Sequence, residues 1–323
     1  MKETFLDKKT SNCIKGISAI FIMLGHICGS LPMPVRFLFS GEMWVGVFFF
    51  YSGYGLIKSY KNRGEDYLKG FIKKKIINIW IPFLIAESFY TISYCIKNGG
   101  LTATDIILGC LGIKLYNSVL WYVIELLAIN LLFYLLYKFC RIKNKEIIWP
   151  VLYLIFLALS VILDIGTWWY ISTSAFVMGI LWDKIKRFLR TYEQSKALQI
   201  ILITAFTMLY IVYKYLSLVS DAESIAGLPK NYILTGLALI MVPVFVLVIA
   251  TITGYCKWTV NSASDNLGKI SYEIYLYHGL IAMLLVTGIS NEQLKVLLIV
   301  AVTLITAFVM NLLHRRLKAL CGK

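Results

Sequence analysis

KGISAIFIMLGH, Lys15 to His26, is an apolar helix that opens on a basic residue and closes on an imidazole. A rise of about 1.5 Å per residue sets His26 roughly 17 Å along the axis from Lys15. With Lys15 at a membrane surface, His26 lies past the middle of a hydrocarbon core about 30 Å thick. An ionisable side chain at that depth is costly and by default marks a functional site. The competing reading is a neutral histidine hydrogen-bonded to a neighbouring helix for packing alone.

The rest of the chain suits a membrane setting. Of its 323 residues 59% are hydrophobic and 15% charged, with a mean hydropathy of +0.76. A soluble domain of this length has no means of burying so much apolar surface. The opening MKETFLDKKTSNCIKG is polar, and no small-residue cleavage site follows the first apolar run, so the first helix is expected to stay in the bilayer. The formal charge of +15 invites a nucleic-acid reading. Membrane proteins concentrate Lys and Arg in cytoplasmic loops, however, and the chain has no basic–aromatic repeat, so nucleic acid is rejected. Seven scattered cysteines without a CxxC pair argue against a disulfide framework and against a zinc site, and no metal is expected.

Ten apolar stretches are expected to be helices, at 14–31, 43–59, 76–96, 117–137, 147–163, 168–182, 197–217, 231–252, 267–287 and 294–313. The run 101–113 is too short to span and is expected to lie in the interface or re-enter. With the N-terminus in the cytoplasm, 26 of the 32 Lys and Arg fall inside, leaving Arg36, Lys97, Lys114, Lys214, Lys230 and Lys295 outside. A wrong helix count would invert that bias partway along, and it does not invert. The expected fold is therefore all-α: one membrane domain over 1–323, about ten transmembrane helices in one bundle, both termini inside, with no repeat of fixed period.

This topology lets depths be compared. His26 and His278 lie about twelve and eleven residues in from the inside, while Glu125 and Ser52 lie about eight and nine residues in from the outside, which on a 30 Å core is nearly one level. An imidazole near its ordinary pKa is a natural general base, and a carboxylate or second imidazole can orient it or support its charged form. Glu125 also reads as a protonated structural carboxylate, and His278 as a packing residue beside Tyr275 and Tyr277. In YLKGFIKKKIINIWIPFL, Lys73, Lys74 and Lys75 begin a helix at the cytoplasmic side and have the charge to hold a nucleotide phosphate, though topology alone also asks for lysines there. Gly53 and Gly55 in SGYGL make no phosphate loop; small residues there allow close helix approach.

Four segments, in this order, resemble the acyltransferase-3 family of integral membrane acyltransferases. KGISAIFIMLGH (15–26) is similar to its first helix and VGVFFFYSGYGL (45–56) to its second. KKKIINIWIP (73–82) resembles the basic segment opening its third, and LGKISYEIYLYH (267–278) its penultimate motif ending in histidine. LWYVIELL (120–127) is a looser match to the fourth helix. The resemblance implies transfer of an acyl group, usually acetyl, from cytoplasmic acyl-CoA (acetyl-CoA) to a hydroxyl of a cell-surface or lipid-linked carbohydrate. It also implies a bacterial plasma membrane location. The family's catalytic histidine corresponds to His26. Its pair of arginines three apart corresponds to Lys75 and Asn78, so one position is lysine and the other uncharged. No permanently bound cofactor is implied. The alternative from the residues alone is a proton-coupled transporter or glycan flippase, for which mid-membrane His and Glu are also natural. The inverted repeats and broken helices typical of transporters are not found in the sequence. A purely structural membrane partner is a third reading.

Overall fold

A computed structural model describes residues 3–220, 223–225, 227–256, 259–285 and 289–321. Its regular structure is helical, apart from one short antiparallel pairing of Ser224–Ile225 with Leu228–Pro229. Nine helices of fifteen residues or more occur among the described residues. They are α1 (Lys8–Ile27), α2 (Gly41–Arg63), α3 (Phe71–Asn98), α4 (Trp121–Phe139), α5 (Ile148–Ile162), α6 (Lys196–Leu218), α7 (Lys230–Tyr255), α8 (Ser271–Leu285) and α9 (Glu292–Cys321). Seven of these, all but α2 and α8, belong to stretches long and apolar enough to cross a membrane.

The expected stretches differ from these helices in two instructive places. The run 168–182 forms short helices at Trp168–Ile171 and Ser174–Ile180 with another from Trp182, instead of one span. Three consecutive hydroxyl residues explain the breaks: Ser172 donates to the Glu42 carbonyl (2.9 Å), Thr173 to that of Trp169 (3.2 Å) and Ser174 to that of Ile171 (3.0 Å). Such side chains compete with the backbone ladder. The stretch 267–287 is likewise divided, into a helix at Ser262–Lys269 and α8. The run 101–113 carries one eight-residue helix, Ala103–Cys110, too short to span. A capping box starts it: Thr102 Oγ1 accepts from the Asp105 amide (3.1 Å) and the Asp105 carboxylate from the Thr102 amide (3.1 Å).

The chain packs as two compact units. The first comprises Met1–Ile22, Met33–Lys61 and Lys143–Lys269; the second Met23–Pro32, Asn62–Ile142 and Ile270–Lys323. In the first, α2 crosses the helix Ser174–Ile180 through Gly53 and Gly179. A β-carbon on Gly53 would strike the Phe176 carbonyl, and one on Gly179 the Phe50 carbonyl. The close approach foreseen at SGYGL therefore belongs to Gly53, whereas Gly55 has nothing near it. Around the crossing, Phe49 and Phe50 are fully buried, and Trp182 sets its ring edge-on to Phe50 at 5.0 Å.

In the second unit α8 is the central element, packed along α9 and against α3. Ile274, Leu276, Tyr277 and His278 are buried together on it, as expected for a helix enclosed by its neighbours over most of its length.

Candidate active site

His26 stands in the last turn of α1 and is exposed, while His278 in the middle of α8 is fully buried. The second unit stacks these two rings, with centroids 5.3 Å apart and planes 26° from parallel. His278 Nδ1 lies 2.8 Å from the Tyr275 carbonyl and 3.2 Å from that of Ile274. Carbonyl oxygens only accept, so Nδ1 carries the proton and Nε2 holds the lone pair. That Nε2 is buried with no hydrogen-bond partner among the described residues. One imidazole is thus fixed in tautomer and orientation, and the other lies against it at the accessible end of a helix.

The tyrosines of α8 and α3 hold His278 in place. Tyr275 donates its hydroxyl to the Val119 carbonyl just ahead of α4, and its ring sits 5.8 Å from His278 and 5.3 Å from Tyr122. Tyr90 of α3 donates to the Leu276 carbonyl at 3.2 Å. Gly279, the residue after His278, leaves room for this contact, since a β-carbon there would meet the Asn117 amide and the Tyr90 hydroxyl. Glu125 is buried on α4 one turn beyond Tyr122, in the same unit as both histidines. Ser52 is half-buried on α2 and belongs to the first unit.

The family's sequence profile, described as an acyltransferase domain, matches residues 9–314, which takes in α1 through most of α9. The chain belongs to the acyltransferase-3 family. It is therefore a multi-pass membrane acyltransferase. No curated protein and no solved structure matches it.

In this membrane acyltransferase the lysine run opens α3. Lys73 and Lys74 are exposed, while Lys75 is half-buried with its ammonium 5.0 Å over the Phe71 ring, a cation–π arrangement. The next five residues, Ile76–Trp80, form a π-turn inside the helix. Such turns widen the ladder and leave carbonyls to be met from outside. Two side chains meet them here: Asn78 donates its amide to the Lys74 carbonyl (2.7 Å) and Tyr272 its hydroxyl to the Ile79 carbonyl (2.9 Å). Asn78, at the position of the family's second arginine, thus has a backbone role in this chain.

Sequence reasoning missed three buried ionisable groups of the acyltransferase's second unit. Glu87 of α3, one turn before Tyr90, is 2% exposed and accepts from the Tyr116 amide at 3.0 Å through one carboxylate oxygen. It is a lone carboxylate in the apolar stretch 76–96, the same signal that singled out Glu125. Glu273 and His314 form a buried pair between α8 and α9, with His314 Nδ1 3.0 Å from the Glu273 carboxylate and both residues under 4% exposed. His314 falls just beyond the apolar stretch ending at 313 and beside Arg315 and Arg316. From sequence it reads as the basic end of a span, whereas α9 continues to Cys321 and keeps it inside.

Proposed function

We propose that the protein transfers an acyl group, acetyl being the expected one, from cytoplasmic acyl-CoA to a hydroxyl of a cell-surface or lipid-linked carbohydrate. The arrangement that supports this reading is the exposed His26 ring stacked on the buried, tautomer-fixed His278. An accessible imidazole backed by an immobile one suits a general base whose partner keeps it oriented. The acceptor oxygen attacks the thioester carbonyl; the new C–O bond forms and the C–S bond breaks. His26 takes the hydroxyl proton and returns it to the departing thiolate, leaving free CoA. His278 positions His26, and Glu125 supports the imidazolium. Lys73, Lys74 and Lys75 hold the donor's phosphates at the start of α3. The setting is a bacterial plasma membrane, with both termini cytoplasmic.

The test is acyl transfer from labelled acetyl-CoA in membranes holding matched amounts of each variant. His26→Gln is expected to lower turnover by about 10²–10⁴-fold, the usual contribution of a general base. Insertion and yield should be preserved, since glutamine keeps a polar side chain of similar reach. Activity within a few-fold of the parent would return His26 to a packing role.

A further inference from the structure

A cavity of about 830 Å³ opens in the first unit where the end of α5, the turn Trp168–Ile171, the end of α6 and the start of α7 meet. Its size lies within the ordinary range for small-molecule sites. Trp168 forms one wall, 54% exposed, with its indole lying where a β-carbon on Gly166 would be. Only glycine at 166 lets that ring lie flat against the backbone. Tyr232 presents a second exposed ring. The lining also holds the exposed carboxylate of Asp164, the amide of Asn231 and the hydroxyl of Thr235.

The end of α5 brings the carboxylate to this cavity. Asp164 is the only non-glycine residue with positive φ (49°) among the described residues, at the end of α5. This is the usual left-handed end of a helix, with the Ile165 amide donating back to the Ser160 carbonyl at 2.9 Å, and it places Asp164 in the cavity lining.

The charge of the lining selects among ligands. The chain as a whole is +15, yet none of the described residues lining this cavity is basic, and its one charge is a carboxylate. A polyanion such as coenzyme A is repelled. A neutral polyol with apolar C–H faces and vicinal hydroxyls is matched, through flat rings for its faces and a carboxylate, an amide and hydroxyls for its rim. On the charge-derived topology these helix ends are extracytoplasmic, opposite the cytoplasmic donor. We propose that this cavity binds a neutral saccharide, with the face of Trp168 as the stacking platform and Asp164 as the principal acceptor of sugar hydroxyls. The choice of saccharide rests on the carbohydrate acceptor proposed above.

The experiment reads binding without turnover. The full-length protein in lipid nanodiscs is titrated with maltohexaose, cellohexaose and chitohexaose by saturation-transfer difference NMR. At least one is expected to bind. Trp168→Ala and Asp164→Asn should each weaken its binding about tenfold or more, and Trp168→Phe, which keeps a flat ring, about threefold or less. Gly166→Ala should weaken it as Trp168→Ala does, by displacing the indole without removing it. His26→Gln should bind as the parent does, so a failure of the transfer chemistry leaves this result standing, and the converse holds. The proposal is overturned if no hexasaccharide binds, if the Trp168 and Asp164 variants bind as the parent does, or if coenzyme A displaces the sugar. Displacement by dihexanoylphosphatidylcholine would make the cavity a lipid site and overturn it equally.

Discussion

His278 carries its proton on the side facing its own helix and its lone pair on the other, and three neighbours, Tyr275, Tyr90 and Gly279, keep it there. A residue held so firmly acts through its partner. His278→Gln is therefore expected to reduce turnover about tenfold, less than His26→Gln, with the KM for acetyl-CoA little changed. Gly279→Ala places a methyl against the Asn117 amide and should reproduce much of that loss while leaving both imidazoles intact. If Gly279→Ala has parental kcat, the contact of Tyr90 with the Leu276 carbonyl does not position the site. The Glu273–His314 pair makes a separate demand. Removing one member strands the other in a dry interior, which typically costs about 3–5 kcal/mol. His314→Ala should accordingly lower the melting temperature in detergent by more than the double variant Glu273→Gln/His314→Gln; equal shifts would show that the pair is not coupled. At this scale the sequence was only partly legible. His26, His278 and Glu125 stood out because each interrupts an apolar run. Glu273 and His314 did not, because each sits near the marked end of a stretch, where polar residues are ordinary and only tertiary packing decides whether water reaches them.

The π-turn of α3 and the lysines ahead of it form the element on which donor binding is proposed to depend. Lys73→Gln/Lys74→Gln/Lys75→Gln is expected to raise the KM for acetyl-CoA about tenfold or more with a smaller change in kcat. An unmoved KM in correctly inserted protein would leave these lysines a topological role only. Tyr272→Phe removes the hydroxyl that meets the Ile79 carbonyl and should cost about 1 kcal/mol of stability, seen as faster amide exchange through Ile76–Trp80. Unchanged exchange would mean that water serves that carbonyl as well. The apolar length of α3 was plain in the sequence, and its basic start with it. The widened turn had one sign, Pro82, whose missing N–H frees the Asn78 carbonyl, but the group that meets the Ile79 carbonyl is Tyr272, almost two hundred residues away. The broken run at 168–182 was legible in principle from Ser172, Thr173 and Ser174, whose hydroxyls compete with the ladder, but hydropathy outweighed them.

For the whole molecule, the 26-to-6 division of positive charge predicts both termini in the cytoplasm. In a background with the native cysteines replaced, Lys97→Cys should react with an impermeant maleimide added to intact cells, and Lys143→Cys only after permeabilisation. The reverse pattern would invert the map. Composition and hydropathy were enough to read a helical membrane protein. They gave no hint that its second unit is assembled from three separated pieces of chain. About 250 residues separate His26 from His278, so their stacking is a contact of very long sequence separation. A ribosome must release all the chain between them before the two rings can meet. Every nascent or prematurely ended chain short of α8 therefore lacks the paired imidazoles, and the protein reaches the membrane in parts long before it has a centre able to act on anything there.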